Sequence, residues 1–172
     1  MVHEGSSHTN LKAIQGAIEG GRINAEIIKI ISDKEDTSIL KEIRADYICL
    51  AGWKKIIPDE FVIKHNNKIL NIHPGLIPDT PNEGVTTPDG TSALWNKGMY
   101  GDSAIQNFFD SKSTYAGSSV HFLTKEFDFG PVLGRTFEKI EVNDNVKSLY
   151  SRLKQKENKL YVEVLEKLTK NK

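Results

Sequence analysis

Apolar positions along this chain fall into two spacings that take turns, and their exchange predicts strands and helices in succession. Leu11, Ile14 and Ile18 recur at helical spacing from Thr9 or Asn10 onward, and Gly20-Gly21 marks the stop. Ala25 to Ile31 (AEIIKII) is a short apolar run that predicts a buried strand. A short helical stretch over Ser38 to Arg44 leads into a second strand, Tyr47 to Ala51. Pro58 suits a first helical position and opens a helix through His65. Ile69 to His73 forms a third strand, halted by Pro74. From Gly75 to about Met99 the chain is rich in Thr, Pro, Gly and Asn and loses its period. A loop of that length inside a compact domain is usually functional or mobile. A helix over Ser103 to Asp110, a strand over Ser118 to Thr124 and a strand from Pro131 toward Val142 follow. Val146, Leu149, Leu153, Leu160, Val164 and Leu168 then mark a long amphipathic helix capped by Asn143 or Asp144.

Strands exchanging with helices predict an α/β fold with a largely parallel sheet. The length of 172 residues suits one domain spanning 1–172. With 38% apolar and 27% charged residues the chain reads as a globular protein. Its 23 basic and 23 acidic side chains cancel, so no electrostatic footprint for nucleic acid or an anionic membrane is present. An anionic ligand must then be met by a few placed groups. The single Cys49 lies in an apolar run, as a buried reduced thiol would. No apolar run is long enough to span a bilayer and MVHEGSSHTN has no signal-peptide core, so a cytoplasmic location is expected.

Chemistry concentrates at Asn71-Ile72-His73-Pro74. Strand alternation puts Asn71 and His73 on one face, at the carboxyl end of a predicted parallel strand, where open α/β sheets place ligands. A side-chain amide beside an imidazole suits reactions through a tetrahedral oxyanion: the amide donates to the developing charge and the imidazole donates or moves a proton. Taken in isolation, an Asn-x-His triplet reads first as a capped strand end with a satisfied histidine, since short motifs match by chance. Asp128, two residues before Gly130, reads on its own as a turn residue.

Three blocks resemble the folate-dependent formyltransferase family, in its phosphoribosylglycinamide (GAR) branch: Leu50-Ala51-Gly52-Trp53, then NIHPGLIP from Asn71, then SSVHFLTKEFDFGPVL from Ser118. The resemblance implies a Rossmann-like fold, with Asn71, His73 and Asp128 as the catalytic trio. It also implies 10-formyltetrahydrofolate as co-substrate, held by Lys54, Lys55, Ile56, Ile57 and Phe127, the loop residues through their backbone groups. Gly5 to Leu11 looks like the family's phosphate loop opening a helix, which makes Ser7, His8, Thr9 and Asn10 candidates for the acceptor's phosphate. Lys154 and Glu157, beside Arg152 in SRLKQKENKLY, resemble the tail that reaches the substrate's ribose phosphate; a solvated helix face is the alternative for Lys154. The acceptor implied is a small phosphorylated amine rather than a tRNA, the protein a monomer or homodimer. Deformylation, another formyl transfer such as that to a sugar nucleotide, and a non-catalytic binding remnant stay open.

His121 is expected to be packed behind the trio, and a metal held by His73, His121 and Asp128 matches no recognised spacing. His3 and His65 read as surface residues, Trp53 and Phe108-Phe109 as core. The chain departs from the family in three places. Only Met1 to Glu4 precede the phosphate loop, so the first strand is expected to be missing or shortened. A helix and a strand are missing between Asp33 and Ile39. The segment Asp79 to Met99 is longer than usual, and a lid carrying Trp95 or Met99 is the expectation there.

Overall fold

A computed structural model describes residues 2–4, 9–35 and 43–170. In chain order the elements are β1 (Val2–Glu4), α1 (Thr9–Glu19), β2 (Ile30–Ser32), β3 (Ile48–Leu50), α2 (Asp59–Lys64), β4 (Ile69–His73), α3 (Gly101–Asp110), β5 (Tyr115–Phe122), β6 (Val132–Lys139) and α4 (Val146–Thr169). The six strands form one sheet in the order β2-β1-β3-β4-β5-β6. The sheet is mixed: β1, β2, β3 and β4 pair in parallel, while β5 and β6 run antiparallel. The first strand is present as three residues and has a place inside the sheet.

Its length governs its neighbour. The expected buried strand Ala25 to Ile31 is corrected to Ile30–Ser32, because only those residues find partners on the three-residue β1. β2 is also the sheet's edge, which leaves Ile28 and Ile30 exposed. Of the predicted helical stretch at 38–44, residues 43 and 44 are not helical and the rest lie outside the described residues.

Alternation sorts the strand side chains onto two faces. Cys49, Leu70 and Val120 face α1 and α4, where they pack with Leu11, Ile14, Leu160 and Tyr161. Tyr161 anchors that layer, its buried hydroxyl shared between the carbonyls of Leu50 and Leu70 at 3.1 and 3.0 Å. Ile48, Leu50 and Ile69 face the other way, onto Phe61 and Val62 of α2, with Trp53 half-buried beside them. A third cluster joins Ile105 and Phe108 of α3 to Leu149 and Leu153 of α4.

The long helix is capped by Asn145, just past the expected Asn143 or Asp144. Asn145 accepts from the Ser148 backbone N–H and Ser148 returns the bond, a reciprocal box, while Asp144 accepts from the Ser148 hydroxyl. His65 is corrected from surface to buried: it closes α2, stacks on Phe61 at 4.0 Å and donates from Nδ1 to the Phe61 carbonyl. Among the described residues no helix is long and apolar enough to cross a membrane.

Candidate active site

Register pins the core of the site. Asn71 of β4 lies opposite His121 of β5, and His73 opposite Ser119, so all four share one face of the sheet. Hydrogen bonds then fix the tautomer of His121. Its Nδ1 meets the Phe122 carbonyl at 3.1 Å, and a carbonyl only accepts, so Nδ1 carries the hydrogen. Its Nε2 is left to accept from the Asn71 amide nitrogen at 3.2 Å. One N–H of that amide is thereby tied down and the other has no acceptor among the described residues. Burial, followed by the neighbouring His73, lowers the His121 pKa to about 4, which keeps it neutral in this role.

His73 is nearly sealed from solvent, at 2% exposure. Its Nε2 donates to the Trp95 carbonyl at 2.7 Å, so Nδ1 is the titrating nitrogen. Nδ1 faces Asp128 Oδ1 at 3.5 Å, close enough for charge to be felt and longer than a direct hydrogen bond. Burial pulls the His73 pKa below its ordinary value, opposed by Asp128, the Trp95 carbonyl and Glu157. Asp128 has φ +48°, in the left-handed region that Asp tolerates in turns. It is therefore a turn residue and a neighbour of His73 at once. Its Oδ2 accepts from the Gly98 backbone N–H at 2.8 Å, which leaves Oδ1 for the imidazole.

The long loop brings more to this face than the sequence revealed. Asn96 is buried and crosslinks the loop, donating to the carbonyls of Pro74 and Ala104 and accepting from Asn107. Trp95 donates from its indole to the Asp128 carbonyl at 2.8 Å, whereas Met99 is 37% exposed and makes no comparable contact among the described residues. An Asn-x-Gly turn around a lone tryptophan was the available signal. Ser119 was missed as well. It bonds Gly75 and Ile77 and so holds the turn that follows His73.

The other predicted residues are spread around this centre. Lys54, Lys55 and Ile56 lie exposed in the loop between β3 and α2, with Ile56 at 81% and the Lys55 amine on the Glu35 carbonyl. Ile57 is buried against α2, and Phe127 is 59% exposed one residue before Asp128. Ser7 and His8 lie outside the described residues. Thr9 begins α1 with its hydroxyl buried and unpartnered among the described residues, while the Asn10 side chain turns inward to Asn158 of α4. Glu157 is buried: Ser118 donates to Oε1 at 2.6 Å, and Lys154 pairs with Oε2 at 2.7 Å without hydrogen-bond alignment. Lys154 also lies 4.9 Å over the Tyr150 ring, so it does not belong to a solvated helix face. Arg152 is occupied by Glu138 and Asp144. A cavity of about 830 Å³ lined by Ile14, Ile18, Arg44, Lys64 and His65 contains none of the predicted site residues. Among the described residues no cluster of His, Cys, Asp and Glu is arranged to hold a metal ion.

Comparison with known proteins bears on what such a face does. Residues 31–165 match the model of the formyl transferase family. The chloroplastic phosphoribosylglycinamide formyltransferase of Arabidopsis thaliana is 33% identical over 135 residues, covering 78% of this chain and 41% of the plant protein. This chain thus spans about two-fifths of that relative's length. The crystal structure of phosphoribosylglycinamide formyltransferase from Bacillus halodurans superposes with a TM-score of 0.80 at 21% identity, over 99% of this chain and 95% of that one. A formyltetrahydrofolate deformylase from Pseudomonas syringae gives 0.79 at 13% identity, over 99% of this chain and 60% of that one. At those identities the structures speak for the fold.

Proposed function

The chain belongs to the formyl transferase family, and on that premise we propose that it moves a formyl group from 10-formyltetrahydrofolate to the amine of phosphoribosylglycinamide. The observation that carries this reading is the convergence of Asn71, His73 and Asp128 on one face, each held by a named partner. The acceptor amine attacks the formyl carbon, producing an oxyanion and a cationic nitrogen. The free N–H of Asn71 donates to the oxyanion. Nδ1 of His73, backed by Asp128, takes the proton shed by the amine and as imidazolium donates to the same oxygen before passing the proton to the departing folate nitrogen. Exposed Ile56 and Phe127 suit an aromatic ring laid between the loop after β3 and the turn of Asp128. Buried Glu157 with Lys154 suits the polar end of the acceptor, and the start of α1 suits its phosphate. Equal acidic and basic counts favour small molecules over nucleic acid or membrane as partners. We place the enzyme in the cytoplasm, as a monomer or homodimer.

The test follows the folate product with and without GAR. Formation that requires GAR and falls by roughly 10²–10³ in Asn71→Ala is the expected result, the usual cost of an oxyanion donor. Formate released at the same rate without GAR would replace transfer by deformylation.

A further inference from the structure

One residue touches both groups proposed to handle the proton. The Trp95 indole donates to the Asp128 carbonyl at 2.8 Å, and its own carbonyl accepts from His73 Nε2 at 2.7 Å. Three further contacts tie the same stretch to the Asp128 turn. The Trp95 and Phe129 rings lie 5.6 Å apart, and Lys97 lies 4.6 Å over the indole while pairing with Glu126 at 3.1 Å. The Gly98 N–H takes Asp128 Oδ2. The chain makes room for this arrangement at Gly75, where a Cβ would stand 1.8 Å from the Trp95 oxygen and 2.8 Å from His73 Nε2.

We propose that Trp95 is a positioning residue: through its carbonyl and its indole it holds the His73 ring and the Asp128 turn in the relative geometry that proton transfer uses. This rests on the reading of His73 and Asp128 as catalytic groups. With Nε2 committed to Trp95, only Nδ1 exchanges a proton. With Oδ2 committed to Gly98, only Oδ1 supports it. Asp128 sits at a positive φ that its surroundings must sustain, and the indole bond is one of those supports. A purely packing role needs the ring alone, whereas positioning needs the N–H, so Trp95→Phe separates the two.

The groups acting on His73 are Asp128 from its turn, Glu157 from α4 and His121 from β5. Asp128 and the Trp95 carbonyl both raise its pKa, so loosening either moves the His73 titration further down. Trp95→Phe is expected to lower kcat roughly tenfold, a misplacement penalty, while KM for both substrates stays within about twofold. The acid limb of the kcat profile and the His73 Cε1–H titration, followed by NMR on the protein alone, both move to lower pH. Gly75→Ala, which drives the carbonyl off Nε2, moves the titration the same way. Wild-type titration of His73 in both variants, whatever their activity or melting temperature, overturns the proposal. A wild-type chain that forms no product from GAR rejects the formyl-transfer reading, and the titration still decides the role of Trp95.

Discussion

At the residue scale, the imidazole buried behind Asn71 is as informative as the one proposed to move a proton. His121 is fully buried, neutral and locked with its hydrogen on Nδ1, so it presents a bare Nε2 to Asn71. Leu at this position removes the acceptor and frees the amide to flip; Gln restores one. His121→Leu is expected to lose roughly 10²-fold in kcat and His121→Gln distinctly less, in steady-state assays at matched melting temperature. The same residue makes the fold acid-sensitive. Its folded pKa of about 4 lies below the unfolded value near 6.5, so the unfolded chain binds the extra proton between those limits. Its contribution is complete above pH 6.5 and is lost as pH falls toward 4, by up to about 3 kcal/mol. Urea denaturation at pH 7 and pH 4.5 should show that loss in the wild type and a smaller one in His121→Gln. Equal losses would mean that His121 is charged in the folded state.

At the element scale, α4 does more than its amphipathic pattern declares. The pattern announced Leu149, Leu153, Leu160 and Val164 as core, and they are. It did not announce that Glu157, on the same helix, is buried with 1% exposure against Ser118 and Lys154. Removing Lys154 leaves that carboxylate short of its only counter-charge among the described residues. Lys154→Ala should therefore cost about 3 kcal/mol, against the near-zero cost of a surface lysine, and a thermal melt distinguishes the two. Element existence was legible wherever period and punctuation agreed: β4 ends at His73 because Pro74 follows, and α2 starts behind Pro58. Element extent was less legible where it depended on a partner. AEIIKII has the composition of a strand, yet its paired length is dictated by the three residues of β1, a distant constraint that local pattern does not carry. His65 failed for a different reason: its partner is local, yet a lone histidine at a helix end gives no sign that the Phe61 ring and carbonyl will enclose it. Asn71, His73 and Asp128 were singled out through the motifs around them; Trp95 was expected only as a lid residue and Asn96 not at all, because their partners lie elsewhere in the sequence.

At the scale of the whole molecule, the sheet places the candidate chemistry where parallel strands meet antiparallel ones. β4 pairs in parallel with β3 and antiparallel with β5, so Asn71 and His73 from one strand face Ser119 and His121 from the other. The three-residue β1 lies two strands away from that junction. The polar loop after β4 then crosses the same face and fastens itself to His73 and Asp128. The most direct test of the account separates catalysis from binding and folding. It measures kcat for GAR-dependent formyl transfer, the folate dissociation constant and the melting temperature for the wild type, Asn71→Ala, Asp128→Asn and the double variant. The account predicts losses of roughly 10²-fold or more in kcat for each single variant, with folate binding and melting nearly unchanged. It also predicts a double variant little worse than the poorer single, because groups serving one proton and one oxyanion act as a unit. Single variants that retain wild-type kcat, or that lose it only in step with folate binding, would contradict it.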